Sequence, residues 1–290
     1  MMVRGTPARH ANDQRLRHPL KKHWTLDDIP WGTFDRSKVD PDLLKLVKAA
    51  AMVEKNGLDY AAYLGRVFPD DAAFRQVAER WASEEVQHGN ALGRWAMLAD
   101  PTFDFDLAFG RFREGYRLPL DATQSVRGSR AGELVARCVV EVGTSSYYTS
   151  LADAADEPVL KEICRNIAAD EMRHYSLFYT YLNRYLETEG LPRWQRLRVA
   201  LSRMAESEDD ELAYAYYAAN GEGEPYNRKR CTRAYAARAY RYYRAPVIER
   251  GIAMTLKATG FKPNGWLART LSKAAAYFMA YRQKRLIEAA

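Results

Sequence analysis

Glu85-Val86-Gln87-His88 and Glu171-Met172-Arg173-His174 are two copies of one pattern, Glu-x-x-His, in a chain of 290 residues. They hold the only histidines past residue 23. With 19 glutamates in the chain, chance puts one three residues ahead of both histidines roughly 0.4% of the time, so the pair is read as a motif. On a helix, positions i and i+3 share a face, and a carboxylate and an imidazole at that spacing can hold one metal ion. Two such helices, each facing another that supplies a glutamate, build a di-iron or di-manganese site inside a four-helix bundle.

Glu54 lies 31 residues before Glu85, and Glu141 lies 30 before Glu171. The quartets begin 86 residues apart and the two lone glutamates stand 87 apart. This is an internal duplication of a helix-pair unit: a glutamate, a turn, then Glu-x-x-His. The candidate ligands are Glu54, Glu85 and His88 for one ion and Glu141, Glu171 and His174 for the other.

Periodicity puts all six on helices. After Pro41 a helical pattern runs to about Val67, with Leu44, Val47, Ala51, Glu54, Leu58 and Ala61 recurring at three or four residues. Pro69-Asp70-Asp71 marks a turn and N-cap, and the next helix is expected over about 71–98 with the stripe Phe74, Ala78, Trp81, Glu85, His88, Leu92, Trp95. Residues 100–128 carry Pro101, Gly110, Gly115, Pro119 and Gly128 and read as a loop holding one short helix. A third helix is expected over about 130–154, with Leu134, Cys138, Glu141, Ser145 and Tyr148 on one face. A fourth, over about 157–188, aligns Leu160, Ile163, Ile167, Glu171, His174, Phe178 and Tyr181. In each helix the candidate ligands lie on the apolar face, where a solvated glutamate would not. Bare carboxylates there cost several kcal/mol unless paired or bound to metal. The pattern therefore calls for a cation.

Composition agrees with an all-α chain: 47% hydrophobic residues, with 12 prolines mostly outside the periodic segments. No apolar run reaches the ~18–20 residues that span a bilayer. Residues 1–23 are basic, without an apolar signal-peptide core, and read as a disordered arm. Residues 24–190 form the bundle. Gly190-Leu191-Pro192 ends it, and residues 191–290 read as a helical extension packed on it, with helices over about 193–218, 227–258 and 264–288. Cys138, Cys164 and Cys231 form no close pair or metal spacing; Cys138 and Cys164 fall inside helical patterns and read as small buried apolar residues, and a reducing cytoplasm fits.

Charge is uneven: 226–290 carries net +13, 1–23 carries +5, and the section between carries −11. Arg228, Lys229, Arg230, Arg233, Arg238, Arg241 and Arg244 interleave with Tyr235, Tyr240, Tyr242 and Tyr243. Nucleic acid is disfavoured for want of a recognised module. Two readings remain: a solvated face with tyrosines packed inward, or docking of an acidic carrier protein or an anionic membrane. The last helix, with Trp266, Leu267, Leu271, Phe278 and Tyr281 near one face, fits either a membrane surface or a cap on the bundle.

Two segments carry a family likeness. Trp81-Ala82-Ser83-Glu84-Glu85-Val86-Gln87-His88-Gly89 resembles the W-x-x-E-E-x-x-H-G segment of soluble acyl-(acyl carrier protein) desaturases. Ile163-Cys164-Arg165-Asn166-Ile167-Ala168-Ala169-Asp170-Glu171-Met172-Arg173-His174 resembles that family's I-C-x-x-I-A-A-D-E-x-R-H segment. The likeness covers roughly 24–188. It implies a ferritin-like four-helix bundle, a di-iron centre and oxygen chemistry. It implies that Thr144, three residues after Glu141, helps protonate bound oxygen. It implies that Asp170 orients His88 and Glu84 orients His174. Trp24, four residues before Asp28, is either the family's tryptophan linking the Asp–His pair to the surface or a packing aromatic. Helix three departs from the family: Ser145, Ser146, Tyr147 and Tyr148 are more polar than an acyl channel wants. Tyr147 or Tyr148 is either a packing residue or a radical-forming one.

The function expected is a di-iron (or di-manganese) oxidoreductase, a desaturase or related oxidase of an acyl-like substrate. That substrate would be free or on acyl carrier protein. The enzyme would be cytoplasmic or peripheral to a membrane, and a homodimer is compatible. No G-x-G-x-x-G or G-x-x-x-x-G-K-[ST] is present, so electrons would come from an external ferredoxin-type donor. The alternatives are a ferritin-like iron-handling or peroxide-scavenging protein, a di-iron oxygenase of a small soluble substrate, and a non-catalytic bundle. A rubrerythrin would add a C-x-x-C pair, which the chain lacks, and a storage ferritin would lack residues 190–290.

Overall fold

The computed structural model describes residues 23–206, 210–221 and 223–288, so the basic arm expected over 1–23 lies outside it apart from His23. Among the described residues every regular element is helical. The helices are α1 (Pro41–Lys55), α2 (Gly57–Val67), α3 (Ala72–Ala99), α4 (Phe105–Gly115), α5 (Arg130–Ala154), α6 (Pro158–Glu189), α7 (Arg193–Ala205), α8 (Asp210–Asn220), α9 (Arg228–Ala239), α10 (Ala245–Thr259) and α11 (Trp266–Glu288). No described helix is long and apolar enough to cross a membrane.

Helix ends follow local chemistry. Asp40 caps α1 by accepting from Asp42 and Leu43 N–H, with Pro41 at the first turn. Asp71 caps α3, Ser129 caps α5, and Glu157 caps α6 ahead of Pro158. Gly190, at φ 61°, closes α6 in the left-handed conformation that glycine adopts without strain.

α5 packs along α6, α1 and α2 pack along α3, and α3 meets α6. Their interior has two apolar layers. One holds Leu46, Met52, Leu92, Trp95, Tyr148, Leu160 and Ile163; the other holds Leu64, Phe74, Trp81, Leu134, Cys138, Phe178 and Leu182. α3 and α5 pass from the second layer to the first, while α1–α2 and α6 pass the other way. Each helix therefore crosses the boundary, and each carries its candidate ligand there. α8 and α9 add to the first layer, and α7 and α10 border the second. All three cysteines are buried and unbridged.

The helix expected from Pro41 to Val67 is two helices. It breaks at Asn56 (φ −81°, ψ 7°), whose N–H turns back to Val53 and Glu54. Asparagine and glycine are weak helix formers, and Gly57 presses on α3. A Cβ there would lie 2.6 Å from Glu85 Cβ. The break resets the helical phase, so Leu58, expected on the buried stripe, is 60% exposed. The stripes of α3, α5 and α6 are buried throughout. The extension divides more finely than its periodicity indicates, with breaks between α7 and α8 and, at Pro246, between α9 and α10.

Gly89 fixes how closely α1 approaches α3. A Cβ there would sit 2.5 Å from Lys55 N and 2.8 Å from Lys55 Cα, backbone that cannot yield as a side chain can. Gly89→Ala should lower stability by about 1–3 kcal/mol in urea unfolding. Gly143, exposed on α5 with nothing within 4 Å of a built Cβ, is the control. Gly143→Ala should raise stability by up to about 1 kcal/mol. Equal effects of the two changes would contradict this account of the α1–α3 contact.

Candidate metal centre

All six candidate ligands are buried at the boundary between the apolar layers. They form two groups, each of which could hold a metal ion: Glu54, Glu85, His88 and Glu171, and Glu85, Glu141, Glu171 and His174. Within each group one ligand atom per residue lies within 4.8 Å of the others. Glu85 and Glu171 belong to both. Each quartet's glutamate thus faces the other quartet's histidine as well as its own. His88 Nδ1 lies 3.4 Å from Glu85 and 3.3 Å from Glu171, and His174 Nδ1 lies 3.1 Å from Glu85 and 3.8 Å from Glu171. Glu54 completes one side, 3.5 Å from His88 Nδ1, and Glu141 the other, 3.6 Å from His174 Nδ1. The imidazole centroids are 5.9 Å apart.

The outer nitrogen of each imidazole is held by the carboxylate that directly precedes the opposite quartet. His88 Nε2 lies 3.1 Å from Asp170 Oδ2, and His174 Nε2 lies 2.9 Å from Glu84 Oε2. These contacts turn each Nδ1 toward the cluster. Both Nδ1 atoms, with Glu85 Oε1, Glu141 Oε1 and Glu171 Oε1, are buried without a hydrogen-bond partner. Such atoms are costly unless something fills the space between them. Carboxylate and imidazole donors without thiolate suit iron or manganese as well as zinc.

A bonded layer surrounds this shell. Trp24 Nε1 donates to Asp170 Oδ2 at 2.8 Å, and its ring lies parallel to His88 at 5.9 Å. Gln87 holds the Trp24 carbonyl at 2.9 Å. Asp28 Oδ2 accepts from the Thr25 N–H and hydroxyl. Arg173 joins the two outer carboxylates, donating to Asp170 Oδ1 and lying 3.3 Å from Glu84 Oε2. It also donates to His23 Nδ1 at 2.9 Å. Arg173 lies inside the motif, but its part in linking both carboxylates is a three-dimensional fact that the spacing does not contain.

Thr144 Oγ1 is half-buried, 2.8 Å from Glu171 Oε2 and 3.1 Å from two carbonyls of its own helix. Its single proton serves one of these at a time. Tyr148 donates to Glu54 Oε1 at 2.5 Å, so this tyrosine touches a candidate ligand directly. Tyr147 packs edge-on against it and beside Tyr235.

Protonation follows from burial and these contacts. Burial, then the charge of Glu85, pushes Glu54 well above the usual carboxylate value. Burial likewise lifts Glu141, against the pull of His174. Burial acts on Glu85 and Glu171 in the same sense, but the imidazoles overcome it and leave both lowered. Burial disfavours the imidazolium ions, yet their carboxylate partners more than offset it, and His88 and His174 are both raised well above the ordinary histidine value. In protein stripped of metal, protons are therefore held more strongly by Glu54, Glu141 and the two imidazoles than by Glu85 and Glu171. Divalent cations bound among these groups would compete with those protons.

Adding two equivalents of ferrous or manganous ion to stripped protein near neutral pH should therefore release protons. Release near zero would contradict the protonation scheme. The same scheme sets how stability depends on pH. Glu54, Glu141, His88 and His174 have folded values above unfolded ones, so their contribution is full at low pH and fades as pH climbs through the raised values. Glu85 and Glu171 act oppositely, and only below the usual carboxylate range. Urea unfolding of stripped protein should show stability falling from about pH 6 upward. Stability that rises over that interval would contradict it.

No protein-family model matches the chain and no curated protein matches it, so the functional reading rests on the site's own geometry.

Proposed function

We propose that the chain is a ferritin-like di-iron carboxylate oxidoreductase, with manganese the alternative metal, that activates dioxygen. The observation that carries this is the pair of buried ligand groups sharing Glu85 and Glu171, with both Nδ1 atoms unpartnered and aimed between them. In this reading Glu54, Glu85, His88 and Glu171 hold one ion and Glu85, Glu141, Glu171 and His174 the other. Bound there, the iron pair supplies the reduction of dioxygen and the oxidising power for substrate.

The chain's own residues position, insulate and move protons. Asp170 and Glu84 hold the imidazoles with Nδ1 inward, and the two apolar layers keep water from the carboxylates. Thr144 holds a proton at Oγ1, 2.8 Å from Glu171 Oε2. Trp24, Asp170 and His88 form a bonded route from a half-buried ring to the site, suited to an external one-electron donor such as a ferredoxin.

An acyl-like substrate, free or on a carrier protein, is the leading reading because of the resemblance of the 81–89 and 163–174 segments to the acyl carrier desaturases. A small soluble substrate is the alternative favoured by the polar groups of α5, Tyr148 above all.

Reduced, iron-loaded protein supplied with a one-electron donor and acyl chains should consume dioxygen and yield an unsaturated or hydroxylated product. Dioxygen or peroxide consumption that yields only ferric mineral would replace this reading with iron handling. Thr144→Val should keep the iron and release more peroxide per electron. Trp24→Phe keeps the stacked ring but loses the N–H, and should keep the iron while slowing reduction at least tenfold. Unchanged coupling in the first variant and unchanged reduction in the second would assign both residues to packing.

A further inference from the structure

The last helix is turned inside out relative to an ordinary surface helix. α11 packs on α9 and α10, and the residues it buries there are Ala268 and Ser272. Its large aromatics point away: Trp266 is 72% exposed, Tyr277 75%, Phe278 53% and Tyr281 49%. A helix that only capped the core would place these rings inward and its small residues outward. At 100° per residue the exposed positions fill one continuous half of the helix, about 34 Å long.

The same half carries cations. Arg269, Lys273, Lys284 and Arg285 are exposed and interleaved with the rings. From 250 to 287 the sequence contains no aspartate or glutamate. On α9, by contrast, three of the five cations are paired within the protein, while Lys229 and Arg233 are exposed. Arg228 lies 3.0 Å from Asp210, Arg230 pairs with Glu224, and Arg238 and Arg241 lie 2.8 and 2.5 Å from Asp42. The docking surface expected of the Arg228–Arg233 stretch is therefore better placed on α11.

We infer that the outward half of α11 is a docking face for an anionic lipid surface. Tryptophan and tyrosine favour the boundary between headgroups and acyl chains, and lysine and arginine are attracted to anionic headgroups. A straight helix face with both along its length matches a flat bilayer surface rather than a groove. It would lie on the membrane, since no described helix can cross one. Two-fold pairing with a second copy would bring two cationic faces together with no acidic residue between 250 and 287 to offset them, which disfavours this face as a dimer contact. The inference stands apart from the metal centre, because none of these residues belongs to it.

The test is co-sedimentation with vesicles of phosphatidylcholine alone and of phosphatidylcholine with phosphatidylglycerol. The protein should bind only the second, and binding should weaken steeply with salt. Arg269→Gln/Lys273→Gln should bind roughly thirtyfold more weakly. Trp266→Ala/Tyr277→Ala/Tyr281→Ala should lose comparable affinity with an unchanged circular dichroism spectrum, because the three rings are exposed. Brominated lipid should quench a component of wild-type fluorescence that is missing in Trp266→Phe, a variant that still binds. Three results would overturn the inference: no binding to anionic vesicles at low salt, binding indifferent to the aromatic changes, or self-association or acidic-protein binding through α11 without lipid binding.

Discussion

Four glutamates and two histidines share one buried layer, and charge compensation in that layer constrains everything around it. An isolated carboxylate in an apolar interior costs several kcal/mol. Here four meet where all the bundle helices cross from one apolar layer to the other. Burial raises Glu54 and Glu141, while the imidazoles lower Glu85 and Glu171 and are themselves raised by their carboxylate partners. A pair of divalent cations would compensate the carboxylate charge in the same layer. The close α1–α3 approach at Gly57 and Gly89 brings Glu54 to that layer.

The surrounding layer repeats the near-symmetry of the duplication. Each inner imidazole is backed by the carboxylate that directly precedes the other quartet, and Arg173 ties both carboxylates together. Symmetry ends with the chain segment that seals each side: Trp24 lies over His88, and His23 lies near Glu84. The two halves therefore differ in what reaches them from outside, although their ligands match.

Much of this was legible in the sequence because helical periodicity is local. Phe74 to Trp95, Leu134 to Tyr148 and Leu160 to Tyr181 each keep one buried face through an unbroken helix. The stripe failed at Leu58, since a tertiary contact at Gly57, invisible to periodicity, breaks the helix and turns the next one. Spacing alone assigned one quartet to each ion, whereas sharing of Glu85 and Glu171 depends on how α3 and α6 face each other. The partners of Trp24 and Tyr148 lie 146 and 94 residues away, and nothing in their own neighbourhoods names them. The pairing of Arg238 and Arg241 is likewise tertiary: Asp42, which takes up both, is nearly two hundred residues away.

The central claim is that two cations sit between Glu85 and Glu171, each taking one Nδ1. Anomalous diffraction at the iron edge, from crystals of iron-loaded protein, tests it most directly. The account predicts two peaks in that layer, one beside His88 Nδ1 and Glu54 and one beside His174 Nδ1 and Glu141. A single peak, no peak, or iron bound through Nε2 after displacing Asp170 and Glu84 would contradict it.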